Sequence, residues 1–313
     1  MNAEAGAGVD LCETYNVEGY PTFILAKSDG ATLERWWGYE NAAAFIPTLH
    51  AAMQDPTTIE EKRARFARSP TDSDAMKLAM FHETRDEYED AVRYYRTARD
   101  MGHAEDLTMA IFEVVAGGAR HDAFSLKDAT DAADAALAYE GRETNDIVRV
   151  ARVMTSLGRK KDDHQVMVPY LEVAMQKSTG VEDVDVVRNR NRIRVDHALF
   201  VEHDAAKAVA YRKELLAAGW MEDSEALNDF AWWCFENEVN LEEADEFARR
   251  GVALAADGKS KAMILDTLAE ICNLRGSCKD AVYFVELAIE ADPESAYYPK
   301  QRERFQKLLA EQH

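Results

Sequence analysis

The chain contains no Cys-x-x-C. Its four cysteines, Cys12, Cys234, Cys272 and Cys278, are too few for 313 residues to be a disulfide scaffold. Proline is scarce: seven residues, and only Pro169, Pro293 and Pro299 beyond Pro70. Positive charge is the minority, with 37 Lys and Arg against 58 Asp and Glu, a formal net charge of -21. That field repels phosphate backbones and anionic lipid, so neither nucleic acid nor a membrane surface is an expected partner. The longest apolar runs, Phe23 to Ala26 and Phe230 to Phe235, fall far short of a membrane span. The opening "MNAEAGAGVD" has no basic segment followed by an apolar one, so it does not read as a signal peptide, and a soluble cytoplasmic location is the default expectation. Glycine-rich phosphate loops and nucleophile elbows are also missing, so no catalytic residue, metal site or cofactor is expected.

Residues 1–53 read as an α/β fragment. Val9 to Tyr15 has helical spacing, with Leu11 and Tyr15 four apart, and Gly19 is placed to take positive φ as the helix ends. Thr22 to Ala26 is an apolar, partly β-branched run that fits a strand buried on both faces. Asp29-Gly30 marks a tight turn. Thr32 to Trp37 then alternates as a second strand, with Leu33, Arg35 and Trp37 on one face and Thr32, Glu34 and Trp36 on the other. Ala42 to Met53 is a helix with Phe45, Leu49 and Met53 spaced by four, and Pro56 stops it.

This order of elements, with Val17-x-Gly19-Tyr20-Pro21-Thr22-Phe23, Asp29-Gly30, Arg35 and Gly38, resembles the C-terminal half of a thioredoxin-like domain. The resemblance covers about a sixth of the chain. It implies that Pro21 is cis and that Tyr20, Pro21 and Thr22 form a peptide-binding loop. The half of that fold which carries its two central strands and reactive cysteines has no counterpart in this sequence. The expectation is that Met1 is an internal methionine of a longer gene product whose Cys-x-x-C lies upstream. The alternative is a truncated module docked onto the helices that follow. Cys12 lies on the wrong helix for redox work and reads as a small semi-buried hydrophobe.

Residues 54–70 read as linker and helix, and 71–313 as helices in pairs. Three segments align, at about 72–102, 224–257 and 262–295. Each places a small residue mid-helix (Ala79, Ala231, Ala269), a polar turn, and a second helix beginning at Ala91, Ala244 or Ala281. Ala98, Gly251 and Ala288 follow as further small residues. Small side chains at such spacing let two helices cross closely. These segments resemble tetratricopeptide (TPR) repeats, so the fold expected is mostly α: a TPR-like α-solenoid of helix pairs carrying the small α/β fragment. Residues 103–215 match the pattern weakly. A capping helix over about 299–311 would turn Phe305 and Leu309 inward and Lys300, Arg302, Glu303 and Lys307 outward.

The resemblance implies a concave groove lined by Asn228, Trp232, Phe235, Met263, Asp266, Glu270 and Asn273. Its aromatics and methionine suit an apolar peptide and its carboxylates a basic one. The basic clamp that such proteins use for acidic tails is missing from these positions. Cys234 and Cys272 occupy equivalent repeat sites and read as core. Cys272 and Cys278 straddle a turn and are the candidate redox thiols. His197 and His203, read on one helix, are six apart and point to opposite sides, against a metal site. The basic run 188–194, "RNRNRIR", reads as a solvated face paired with Asp183 and Asp185.

The function expected is therefore a non-catalytic scaffold that binds a protein or peptide. The alternatives are a thiol–disulfide oxidoreductase whose cysteines lie upstream, or a sensor of oxidation through Cys272 and Cys278.

Overall fold

The computed structural model describes residues 6–17, 19–39, 41–256 and 258–311. The described residues are mostly helical, with one two-stranded antiparallel sheet. In chain order the elements are α1 (Ala7–Thr14), β1 (Thr22–Ala26), β2 (Thr32–Trp37), α2 (Ala42–Gln54), α3 (Ile59–Arg68), α4 (Asp72–Glu83), α5 (Tyr88–Asp100), α6 (Thr108–Arg120), α7 (Leu126–Leu137), α8 (Thr144–Lys160), α9 (Val168–Ser178), α10 (Val184–Phe200), α11 (Ala205–Glu214), α12 (Ser224–Glu236), α13 (Leu241–Leu254), α14 (Lys259–Leu274), α15 (Cys278–Ala291) and α16 (Tyr297–Glu311). The chain forms two compact units, Met1–Ser178 and Thr179–His313. No helix among the described residues is long and apolar enough to cross a membrane.

Polar side chains tie the hairpin to the helices after it. Arg35, 4% exposed, donates to the carbonyls of Tyr15 and Asn16 and, at 2.7 Å, to that of Thr84 at the end of α4. Lys62 on α3 is fully buried and donates to the carbonyls of Leu33 (3.0 Å) and Thr57 (2.5 Å). Lys77 on α4 pairs with Glu34 at 2.6 Å. Arg65 joins Asp55 (2.9 Å) to Asp74 (2.5 Å). Buried charge holds only when hydrogen-bonded in this way, and the partners lie up to 49 residues apart, beyond any local pattern.

In the hairpin, Phe23 faces Trp36 and Leu25 faces Glu34, with a bulge between Leu25 and Ala26. Phe23 stacks on Trp36 at 5.9 Å, and Phe45 of α2 covers Phe23 at 4.6 Å. Trp36 is buried along with Leu33 and Arg35, while Trp37 is exposed, so the alternation read for this strand does not translate into one dry and one wet face. Asn16, not Gly19, takes positive φ (48°) at the end of α1, where the Val17 amide donates to the Cys12 carbonyl. Gly19 lies beside the Trp37 ring, which a Cβ there would meet at 3.4 Å, an ordinary contact.

The helices pack as consecutive pairs, α4 on α5, α6 on α7, α8 on α9, α10 on α11, α12 on α13 and α14 on α15. Ala79, Ala91, Ala98, Ala231, Ala244, Ala269, Ala281 and Ala288 are all fully buried at the crossings. At Gly251 a Cβ would meet Ile264 at 3.3 Å and the Ser224 carbonyl at 3.4 Å, a tight fit that a larger residue enters only if Ile264 gives way slightly. The turn inside most pairs repeats one hydrogen bond. Glu87, Ala123, Asp163, Val239 and Ser277 each donate to the carbonyl five residues back, on His82, Gly118, Gly158, Cys234 and Cys272. The residue just before each donor (Asp86, Asp122, Asp162, Glu238, Gly276) is left-handed. Its steps are 122 − 86 = 36, 162 − 122 = 40 and 276 − 238 = 38 residues. The middle of the chain therefore carries the same turn as the clear repeats. Sequence alone hid it because aspartate, glutamate and glycine all fill the left-handed place.

In α16, Tyr298 and Phe305 are buried and Leu308 packs on the same core, while Leu309, expected to point inward, is half-buried.

Candidate functional site

The proline loop follows α1. The Tyr20–Pro21 peptide is cis. The Thr22 hydroxyl donates to the Gly19 carbonyl at 2.6 Å and closes the loop, and the Gly38 amide donates to the Pro21 carbonyl at 3.0 Å, anchoring it to the end of β2. Tyr20 is 65% exposed, with its hydroxyl 3.4 Å from the Cys12 sulfur. The first unit holds no second thiol among its described residues, since the other three cysteines belong to the second unit.

The seven groove residues fall on two helices: Asn228, Trp232 and Phe235 on α12, and Met263, Asp266, Glu270 and Asn273 on α14. Asn228, Asp266 and Glu270 are buried, Trp232, Phe235 and Asn273 half-buried, and Met263 exposed. Trp232 and Phe235 touch, with ring centres 5.0 Å apart. Asn273 is occupied: its side-chain oxygen accepts from the Cys278 thiol at 3.4 Å.

Three residues of α16 that the sequence reading did not assign also meet α14. Gln301 donates to Glu270 at 3.1 Å, Arg304 forms a short ion pair with Glu270, and the Tyr297 hydroxyl bonds Asp266. Their spacing, 297, 301 and 304, is a helical stripe that could have been found. Glu270 is thus neutralised from within. Asp266 has no such cation. Burial first, and the Glu270 charge second, raise its carboxyl to about 6. One oxygen of Asp266 and the side-chain oxygen of Asn228 are buried without a hydrogen-bond partner among the described residues.

The candidate thiols are not joined. Cys272 points to an Asp245 oxygen at 3.6 Å, Cys278 bonds Asn273, and both are 3% exposed. Burial, reinforced by Asp245, pushes Cys272 up to about 12, and burial does the same to Cys234. Neither is a thiolate at neutral pH, so neither is a ready nucleophile. His197 and His203 do not share a helix. The helix ends at Phe200, His203 is left-handed in the turn, and His197 lies 3.4 Å from Glu202. In the basic run, Arg188 pairs with Asp185 at 2.9 Å, Arg190 donates to the Val181 carbonyl, and Arg194 pairs with Glu214 and stacks over Tyr211.

No family model matches the chain, and no curated protein matches it. Among solved structures it is similar to BtubC (BKLC) from P. vanneervenii, at 14% identity over 75% of this chain and 91% of that one, with a TM-score of 0.35. It is also similar to Ton1535 from Thermococcus onnurineus NA1, at 15% identity over 85% of each chain, with a TM-score of 0.28. Likenesses this distant assign no activity.

Proposed function

We propose that the protein is a non-catalytic interaction module, a TPR-like array of helix pairs whose α12–α14 face takes a basic or amide-rich peptide segment. The observation that carries this reading is the pair of unsatisfied acceptors on Asn228 and Asp266. They occupy equivalent places on successive first helices, in the aligned runs "LNDFAWW" and "LDTLAEI". A buried acceptor without a donor costs about 1–3 kcal/mol. Both oxygens are closed off from solvent, so a ligand that offers N–H groups recovers that cost once the side chains over them move aside. The half-buried Trp232 and Phe235 and the exposed Met263 supply the apolar part of the contact. The raised, buried cysteines and the missing Cys-x-x-C favour binding over disulfide exchange for these residues.

The test is fluorescence anisotropy with a positional peptide library. Net-basic peptides with one large apolar residue should bind, and Asp266→Asn and Trp232→Ala should each weaken them roughly tenfold, the loss of about one hydrogen bond to a charged group or of one anchor. Equal affinity for wild type and both variants removes the assignment.

A further inference from the structure

We infer that β1 is the seam of a symmetric dimer, in which two copies of this chain pair antiparallel about Ile24 and build one four-stranded sheet.

The register of the hairpin decides which backbone groups are free. Pro21 faces Gly38 in a hydrogen-bonded position, so Phe23–Trp36 and Leu25–Glu34 are the pairs that exchange bonds with β2. The N–H and C=O groups of Thr22, Ile24 and Ala26 therefore point away from β2. They have no hydrogen-bond partner among the described residues, and the sheet has no third strand there. A two-fold axis through Ile24 sets Ile24 against Ile24, Thr22 against Ala26 and Ala26 against Thr22. Every outward residue then meets an outward residue, with two hydrogen bonds per facing pair. An axis at Phe23 or Leu25 would also set outward residues opposite each other, but with two facing pairs inside β1 instead of three, so the Ile24 axis makes the most bonds.

Charge selects the occupant. The chain carries -21, so two copies repel over most of their surface. Residues 20–26, "YPTFILA", carry no charge, and α2, "AAAFIPTLHAAMQ", has only His50 as a titratable group. α2 lies against this sheet through Phe45 on Phe23, and turns Ile46 (48% exposed) and Met53 (61%) outward. All five β1 side chains stay half-buried, as for a strand with one flank uncovered. An uncharged edge in an acidic chain is where an equally acidic copy approaches at least electrostatic cost, and a two-fold contact uses the same patch on both sides.

Sedimentation equilibrium on the whole chain tests this at micromolar to submillimolar concentration. The expected mass is twice 35.2 kDa, 70.4 kDa, falling on dilution. Ile24→Lys should give the single-chain mass with the helical circular-dichroism signal and melting temperature of wild type. Ile24→Pro should do the same, because the N–H it removes faces away from β2. Hydrogen exchange reads the seam directly: the amides of Ile24 and Ala26 should be slow in the concentrated wild type and fast in Ile24→Lys. A wild type that stays at single-chain mass overturns the inference, as does a dimer that survives both substitutions. If Ile24→Pro unfolds the hairpin, the lysine variant and the exchange rates still decide.

Discussion

Around β2, cohesion runs through charge: Arg35 holds three carbonyls, Lys62 two, and Lys77 and Arg65 bind Glu34, Asp55 and Asp74. Between α12 and α15 it runs through small side chains, with Ala231, Ala244, Ala269 and Ala281 fully buried where helices cross. The difference follows from size. Two short strands and a helix cannot enclose enough apolar area by themselves, so the hairpin is fastened by a few buried hydrogen-bonded cations. Each fastening is strong in place and fails badly when one partner is removed. A helix pair spreads its cohesion over many close contacts, and each substitution there is felt locally.

Removing Arg35 should have the largest effect. Arg35→Met leaves the Tyr15, Asn16 and Thr84 carbonyls without their donor and should lower the urea stability of the first unit by about 1–3 kcal/mol for each carbonyl that stays buried and unpaired. Hydrogen exchange at β1 and β2 should rise first. A cost near zero would mean that the aromatic cluster of Phe23, Trp36 and Phe45 holds the hairpin by itself.

Asp266 inverts the rule for the second unit, since its charge is buried beside another carboxylate. Its folded value, about 6, lies above the ordinary 3.8. The folded state therefore binds this proton more tightly than the unfolded chain does. The stabilisation it brings is complete below about pH 4 and is lost as pH rises through 6. It amounts to at most about 3 kcal/mol, because each tenfold difference in proton affinity is worth about 1.4 kcal/mol. Asp266→Asn should raise the melting temperature at pH 7, and the gain should shrink at pH 5. A gain that does not depend on pH would remove the buried charge from the explanation.

Ala269→Leu should cost about 1–3 kcal/mol by overfilling a crossing, read as a lower urea midpoint with an unchanged slope. If Leu is tolerated there, the close-packing account of this region is wrong.

The smallest expected effect sits in the repeated turn. Glu238 and Gly276 hold the same left-handed place, at φ 52° and 85°. Glu238→Gly should stabilise by up to about 1 kcal/mol, and Gly276→Ala should destabilise by a similar amount. Opposite signs at equivalent positions would confirm that backbone conformation, rather than side-chain contact, governs these turns.

Much of the local structure was legible in the residues. The hairpin is one example: a β-branched apolar run, an Asp-Gly turn and a second strand sit at the positions expected, because turn geometry and strand propensity act over a few residues. The paired helices at 72–102, 224–257 and 262–295 were legible from alanine spacing for the same reason. Regularity through 103–215 was not, because the turn asks for a backbone angle that several residue types can supply. The part played by Tyr297, Gln301 and Arg304 at the candidate groove was missed too, because their partners lie about 30 residues earlier on α14.

The sequence by itself determined the periodicities, the turns, the acidic field and the lack of a cysteine pair, all of which arise from neighbours along the chain. Only the tertiary structure decided that the hairpin joins the helices up to residue 178, that Glu270 is neutralised while Asp266 is not, and that β1 pairs with β2 alone among the described residues. Each of these depends on which distant group comes within hydrogen-bonding reach, and that is fixed by packing rather than by local pattern.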